Sequence, residues 1–400
     1  MVDEFIAVFN GQTVSLNTVS YTKMAKVFSK KKSNIFSTVL AGISILTIIV
    51  LAFFAFRPTP KIAINESLPI GKVSFLDFNF ILDRASLTFT NLPALEAGTH
   101  YDVWALAEGG ETRQNIGSIE MSTTTQGQLI YTSPAQINIL GSFDQIEVTI
   151  EADNDPNPNQ ASDDVIASSV FPPLALIHVR HVLVSYGGAP EGSALIQGLW
   201  YTADSIKTSV VALENAFKDN HDVQVRKSTE EIINQLVGSS DILQYRDWND
   251  DGKIDDPSDG YGLLENPNEI NSGYIPTARS HATFAASSED ATENIKNNSQ
   301  NVVIAIDNMQ GWSEQLLALA LRLQSMPVGS EMQTIITEMN LLSTYILSGV
   351  DTNGNQLIEP IVGEGGADSA YEYAYYMADM PILLGKHRIP PPASTETQSP

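Results

Sequence analysis

Apolar residues along this chain fall into three regimes, and each predicts a different kind of element. Between Ile35 and Phe56 they form an unbroken run, IFSTVLAGISILTIIVLAFFAF, with no charge, proline, asparagine or glutamine. A helix of that length, rising about 1.5 Å per residue, would cross the roughly 30 Å hydrocarbon core of a bilayer. The run is too long for the apolar part of a secretory signal. Arg57-Pro58-Thr59-Pro60 follows it in place of a small-residue cleavage site. One uncleaved transmembrane helix over 35–56 is therefore expected.

From Lys72 to Phe171 the pattern changes to short alternating or β-branched runs, at 72–82, 86–90, 101–107, 115–121, 128–132, 145–152 and 165–171. Gly98, Gly109-Gly110, Gly127 and the cluster 154–158 lie between them as turn signals. This spacing predicts an antiparallel, immunoglobulin-like β-sandwich over 67–171.

From Leu174 onward the period becomes helical. Candidate helices span 174–185, 193–217, 223–238, 275–287, 291–309, 313–326, 330–349 and 367–380. In the seventh, Met332, Ile335, Ile336, Met339, Leu342, Tyr345 and Ile346 make one apolar stripe. An all-α domain is expected over 172–388. Its two halves, about 174–265 and 275–366, repeat one order: a short His-bearing helix, long helices, a helix ending in glycine (Gly238, Gly349), then an Asp/Asn-rich loop. Residues 57–66, with Pro58 and Pro60, read as a stalk, and the Pro/Ser/Thr-rich 389–400 as a disordered tail.

Charge adds an orientation. Lys23, Lys26, Lys30, Lys31 and Lys32 precede the apolar run, and only Arg57 and Lys61 follow it closely. That asymmetry predicts a cytoplasmic tail over 1–34 and extracytoplasmic C-terminal domains, a single-pass cell-membrane localisation. The formal net charge of −25 argues against nucleic acid or anionic lipid as partner and suits divalent cations or basic groups. The chain has no cysteine, which excludes disulfides, thiolate metal sites and a cysteine nucleophile.

Two loops carry the most specific chemistry. In DWNDDGKIDDPSDG, Asp247, Asn249 and Asp251 alternate ahead of Gly252, with Lys253 offering a carbonyl, Asp255 a carboxylate, and Asp259 standing in for the terminal acid because position twelve is Ser258. In DTNGNQLIEPIVGEGG, Asp351, Asn353 and Asn355 alternate, Leu357 offers its carbonyl, Glu359 takes the ninth place, and Glu364 is the terminal acid. Gln356 occupies the place of the turn glycine. Calcium takes six to eight hard oxygens, and alternate side chains on a tight loop converge on one point. Both loops resemble EF-hand or dockerin-type calcium loops, and Ca²⁺ is the expected ligand.

The run LTFTNLPALEAGTHYDVWALAEGG (87–110), then IGSIEM (116–121), also carries a resemblance, through Leu92, Pro93, Leu95, Gly98, Tyr101 and Trp104. With the acidic strand and Pro-rich loop of 143–169, residues 65–171 resemble the extracytoplasmic domain of bacterial anti-sigma-K factors. Members of that family hold a sigma factor with a helical cytoplasmic domain. Thirty-four residues without helical patterning cannot supply one, so the resemblance implies a reused spacer or docking module.

His178 and His181, at i and i+3, can bind a metal or haem, and His281 holds a comparable place in the second half, but no third ligand is visible from spacing. Glu230, Glu231, Glu372 and Asp379 read as solvated helix faces. Neither a nucleophile elbow, a phosphate loop nor a His-Glu-x-x-His motif occurs. The expectation is a non-enzymatic, membrane-anchored, calcium-binding structural or interaction protein with a protein partner at the membrane surface or outside it. The alternatives are an anti-sigma-like transmembrane regulator and a helical metal or haem protein using His178 and His181.

Overall fold

Alternation of buried and exposed side chains is what makes the first strands. The computed structural model describes residues 68–79, 81–264 and 273–393. Strand β1 (Pro69–Leu76) turns Ile70, Val73 and Phe75 inward, β2 (Arg84–Phe89) turns in Ala85, Leu87 and Phe89, and β6 (Gly127–Thr132) turns in Leu129. The others are β3 (Thr99–Ala107), β4 (Thr112–Ser118), β5 (Glu120–Met121), β7 (Gln145–Ala152) and β8 (Val165–Val170). Two residues of the run 87–110 tie β3 to its surroundings: the Tyr101 hydroxyl donates to the Pro93 carbonyl, and the Trp104 indole donates to the Thr149 hydroxyl at 2.9 Å.

The expected sandwich is corrected. The strands form one antiparallel sheet of nine, in the order β4-β3-β7-β8-β9-β1-β2-β6-β5, curled so far that β4 returns to β6, where Gln114 Nε2 donates to the Tyr131 hydroxyl at 2.8 Å. The ninth strand, β9 (Met380–Leu384), comes from the far end of the chain and fills the gap between β8 and β1. The helix expected over 367–380 ends at Met377, and Met380, its expected last residue, begins this strand.

After the helical turn α1 (Ile139–Ser142), the helices are α2 (Pro173–Leu183), α3 (Leu195–Lys218), α4 (Asp222–Val237), α5 (Tyr274–Ser287), α6 (Glu293–Ser325), α7 (Met332–Ser348) and α8 (Ala367–Met377). Residues 291–309 and 313–326, expected as two helices, are one. Gly311 costs a helix interior about 1 kcal/mol, and the stripe Val302, Ile306, Met309, Leu316, Ala320 and Leu323, buried along its whole length, outweighs that. Hairpins α3–α4 and α6–α7 close a four-helix ring through contacts of α4 with α6 and of α7 with α3. Each hairpin is followed by an Asp/Asn-rich loop and a short helix, α5 or α8, in keeping with the duplicated order.

Sheet and helices share one apolar core. Asp77, after β1, accepts the hydroxyls of both Tyr371 and Tyr375 of α8, and Lys72 of β1 pairs with Asp379 at 2.6 Å. At the C-terminal end the Ala393 amide bonds the Ala291 carbonyl at 2.9 Å, while 394–400 lie outside the described residues.

The membrane reading is corrected as well. No helix among the described residues is long and apolar enough to cross a membrane. The longest, α6, is amphipathic, with Lys296, Asp307, Glu314 and Arg322 along it. The segments 1–34, 35–56 and 57–66 lie outside the described residues. The single-pass anchor, and the cell-membrane localisation with extracytoplasmic C-terminal domains that depended on it, are withdrawn.

Candidate calcium loops

Each loop starts at a glycine that other residues cannot replace. Gly238 ends α4 with φ +71°, and a side chain there would put its first carbon 2.4 Å from the Tyr261 carbonyl oxygen. Gly349 ends α7 with φ +80°, and the same carbon would lie 2.3 Å from the Glu364 carbonyl oxygen. The next residue then bonds the returning chain: the Ser239 amide donates to the Gly260 carbonyl at 2.8 Å, and the Val350 amide to that of Glu364 at 2.9 Å.

Counted from Asp247 and Asp351 as position one, the loops take the same course. Position four (Asp250, Gly354) and position six (Gly252, Gln356) are left-handed in both, with φ of +61°, +78°, +86° and +68° respectively. Oδ2 of Asp247 accepts the Gly252 amide and Oδ2 of Asp351 accepts the Gln356 amide, each at 2.8 Å. Asn249 accepts the Asp251 amide at 2.9 Å, and Asn353 that of Asn355 at 3.0 Å. Asp251 accepts the Lys253 amide at 3.0 Å, and Asn355 that of Leu357 at 2.8 Å. Side-chain oxygens at positions one, three and five are thus oriented by the backbone they belong to.

Beneath each loop lies a fully buried carboxylate. Glu230 of α4 accepts the amides of Trp248 at 3.0 Å, Asn249 at 3.1 Å and Asp255 at 2.8 Å. Glu364 accepts those of Thr352 at 3.1 Å, Asn353 at 3.2 Å and Glu359 at 3.2 Å, plus the Thr352 hydroxyl at 2.8 Å. The charge balance differs between them. Burial pushes the Glu230 carboxyl above its ordinary range, and its three amide bonds do not reverse that. At Glu364 burial also pushes upward, but the Thr352 hydroxyl and the loop amides outweigh it and the carboxyl lies below its ordinary range.

Of the expected ligands, Asp247, Asn249 and Asp251, and likewise Asp351, Asn353 and Asn355, accept amides of their own loops, whose backbone Glu230 or Glu364 also holds. Asp255 at position nine lies 3.3 Å from the Lys227 ammonium through Oδ1, and its Oδ2 is buried with no hydrogen-bond partner. Glu359 accepts the side-chain amides of Asn353 at 2.8 Å and Asn355 at 2.6 Å. Lys253 and Leu357 are exposed, each with a backbone carbonyl at position seven. Asp259 is drawn away: it accepts the Tyr274 hydroxyl and, at 2.9 Å, the Tyr261 amide. Glu230 takes the basal place instead.

The donor types suit calcium, which prefers hard oxygen and flexible coordination, but among the described residues only the three histidines bring three imidazole or carboxylate ligand atoms within 4.8 Å of one another. Asp255 Oδ2 is an orphaned buried acceptor of the kind a cation satisfies. Sequence reading missed Glu230 because it precedes the loop on a helix. Its placement with Ile233, Asn234 and Val237 at i+3, i+4 and i+7, all buried, was the available signal. The histidines of α2 and α5 belong to neither loop. No family model, no curated protein and no solved structure matches this chain.

Proposed function

We propose that this chain is a calcium-ordered, non-catalytic binding protein, its helical ring stiffened by two equivalent loops and its surface used to dock a protein partner. What supports this most is the shared register of the loops, in which positions two, three and nine are held from below by Glu230 or Glu364. Two stretches that share only their Asp/Asn alternation take one backbone course, which a common ligand would favour. Calcium would be held by Asp247, Asn249, Asp251, the Lys253 carbonyl, Asp255 and Glu230 in the first loop. In the second it would be held by Asp351, Asn353, Asn355, the Leu357 carbonyl, Glu359 and Glu364.

A protein partner is supported by aliphatic side chains raised to solvent near both loops. Ile242, Leu243 and Ile254 are exposed near the first, and Leu357 and Val362 near the second. Ordering a loop before contact lowers the entropy cost of forming an interface. The acidic surface favours a basic partner over nucleic acid.

The test is a melting curve of the whole chain with calcium and with chelator. A ligand that binds only the folded state adds about 2.7 kcal/mol at a hundredfold excess over Kd. Asp251→Ala is expected to remove most of the shift due to the first loop, and Asp351→Ala that of the second. Identical melting with calcium and with chelator would end the calcium reading. A chain that stays monomeric in native extracts, with no crosslinked partner, would end the docking reading.

A further inference from the structure

Helices α2 and α5 pack together and bring three histidines to one point. His178 and His181 lie at i and i+3 on α2, on one face, and His281 of α5 meets them from the other side. One nitrogen of each lies within 4.8 Å of the other two. Nδ1 of His281 is 3.1 Å from Nδ1 of His178 and 3.2 Å from Nδ1 of His181.

Hydrogen bonding alone explains this poorly. An imidazole nitrogen carries either one proton or one lone pair. Nδ1 of His281 must therefore divide a single lone pair between two donors, divide a single proton between two acceptors, or face one neighbour with like against like. A cation removes the conflict. Nitrogens each 2.0–2.1 Å from one metal ion are separated by about 2.9 Å at a right angle and about 3.4 Å at the tetrahedral angle. Both contacts fall inside that interval.

The rings are held in place by aromatic neighbours. The Tyr186 ring centroid lies 4.9 Å from that of His281, the rings tilted by 59°, and that of Phe284 lies 5.2 Å from that of His178. No carboxylate enters the set, so an ion there would keep its full charge. Hard cations such as calcium prefer oxygen, whereas imidazole suits zinc, copper and nickel. Three protein nitrogens leave a coordination position unfilled, and Leu174, Ile177 and Phe284 around them are half exposed, so solvent reaches it.

We infer that His178, His181 and His281 form a site for one divalent transition cation of the zinc class, with a coordination position open to water or a small anion. The site is independent of the calcium loops. The test uses the whole chain, stripped by chelator and then held in excess calcium to fill the oxygen loops. Zinc titration is expected to show one tight equivalent, and cobalt a visible band of a four- or five-coordinate, nitrogen-ligated ion. His281→Ala is expected to weaken zinc by at least about a hundredfold and abolish the cobalt band. His178→Ala, at the more exposed edge, is expected to do the same and decides the matter if His281→Ala does not fold. No zinc heat and no cobalt band in the parent protein would overturn the site. Zinc binding unchanged in the folded variants would also overturn it, by placing the ion on the acidic loops.

Discussion

Glu230 and Glu364 do the same work in two loops from opposite directions along the chain. Glu230 precedes its loop, on α4, and Glu364 follows its own, yet each accepts the amides of positions two, three and nine. The loops are thus equivalent in backbone without being equivalent in sequence. The basal carboxylate can come from either side because what the loop needs is an acceptor at one place, not a residue at one sequence position.

Replacing that acceptor is expected to cost stability even without calcium. Glu230→Gln keeps the volume but turns a donor toward amides that already donate. A buried polar group left without a partner costs about 1–3 kcal/mol, and a loss in that range is expected by urea denaturation of the calcium-free chain. Calcium affinity should fall with it. A variant within 0.5 kcal/mol of the parent would show that the loop is held by other contacts.

The two carboxylates should also give opposite pH dependence. Glu364 is lowered in the folded state from the ordinary 4.5, so the unfolded chain takes up its proton first. Its contribution is present above pH 4.5 and lost as pH falls through the lowered value. Asp351, lowered chiefly by the amide of Gln356, acts in the same sense. Glu230 is raised, so its contribution is greatest below 4.5 and is lost as pH rises through its raised value. In calcium-free buffer between pH 3 and 7, Glu364→Gln is expected to flatten the acid loss in melting temperature, and Glu230→Gln to steepen it. Equal slopes in all three proteins would refute the assignment.

Most of the strands and the run of helices were legible because burial imposes periods of two and 3.6 on the sequence. The matching Asp/Asn-rich loops were legible because alternation at 247, 249, 251 and at 351, 353, 355 is itself local. What escaped depends on distance along the chain. Strand β9 pairs with β1 about 310 residues away, and nothing within Met380–Leu384 marks it as central to a sheet. His281 lies 100 residues from His181, so spacing could not reveal that the two meet. Glu230 read as a solvated face because a glutamate on a helix usually is one. The bond from the Tyr274 hydroxyl to Asp259 was not legible either, because Tyr274 lies beyond the loop motif.

Gln356 is a stored cost that can be relieved. It sits at φ +68°, where its counterpart in the first loop is Gly252 at φ +86°. A left-handed conformation costs a residue with a side chain about 1–2 kcal/mol, while glycine carries an entropic penalty of about 0.5–1 kcal/mol. The Gln356 side chain is exposed, so burial does little to offset the difference. Gln356→Gly is therefore expected to raise stability by about 0.5–1 kcal/mol and to tighten calcium at the second loop. A destabilised variant with weaker calcium binding would show that the glutamine side chain contributes there.

The last expectation concerns how the chain unfolds. β9 lies in the middle of the sheet, with Ile382 opposite Gly71 of β1 and Leu384 opposite Ala167 of β8. It is also tied directly to α8, whose tyrosines bond Asp77. Removing it would expose two facing strand edges and empty a fully buried position, since Ile382 has no exposed surface. Burying an isoleucine and then deleting it to alanine typically costs about 2–5 kcal/mol. Ile382→Ala is expected to lose stability in that range, and to lower the melting of sheet and helices together. Tryptophan fluorescence separates the two parts: Trp104 reports the sheet, and Trp200, Trp248 and Trp312 the helices. Variants leaving either Trp104 alone or the helical tryptophans alone should melt at one temperature, coincident with circular dichroism. If instead the helical signal persists while Trp104 becomes exposed, the sheet and the helical ring are separate folding units, and β9 is a strap between them rather than part of a single core.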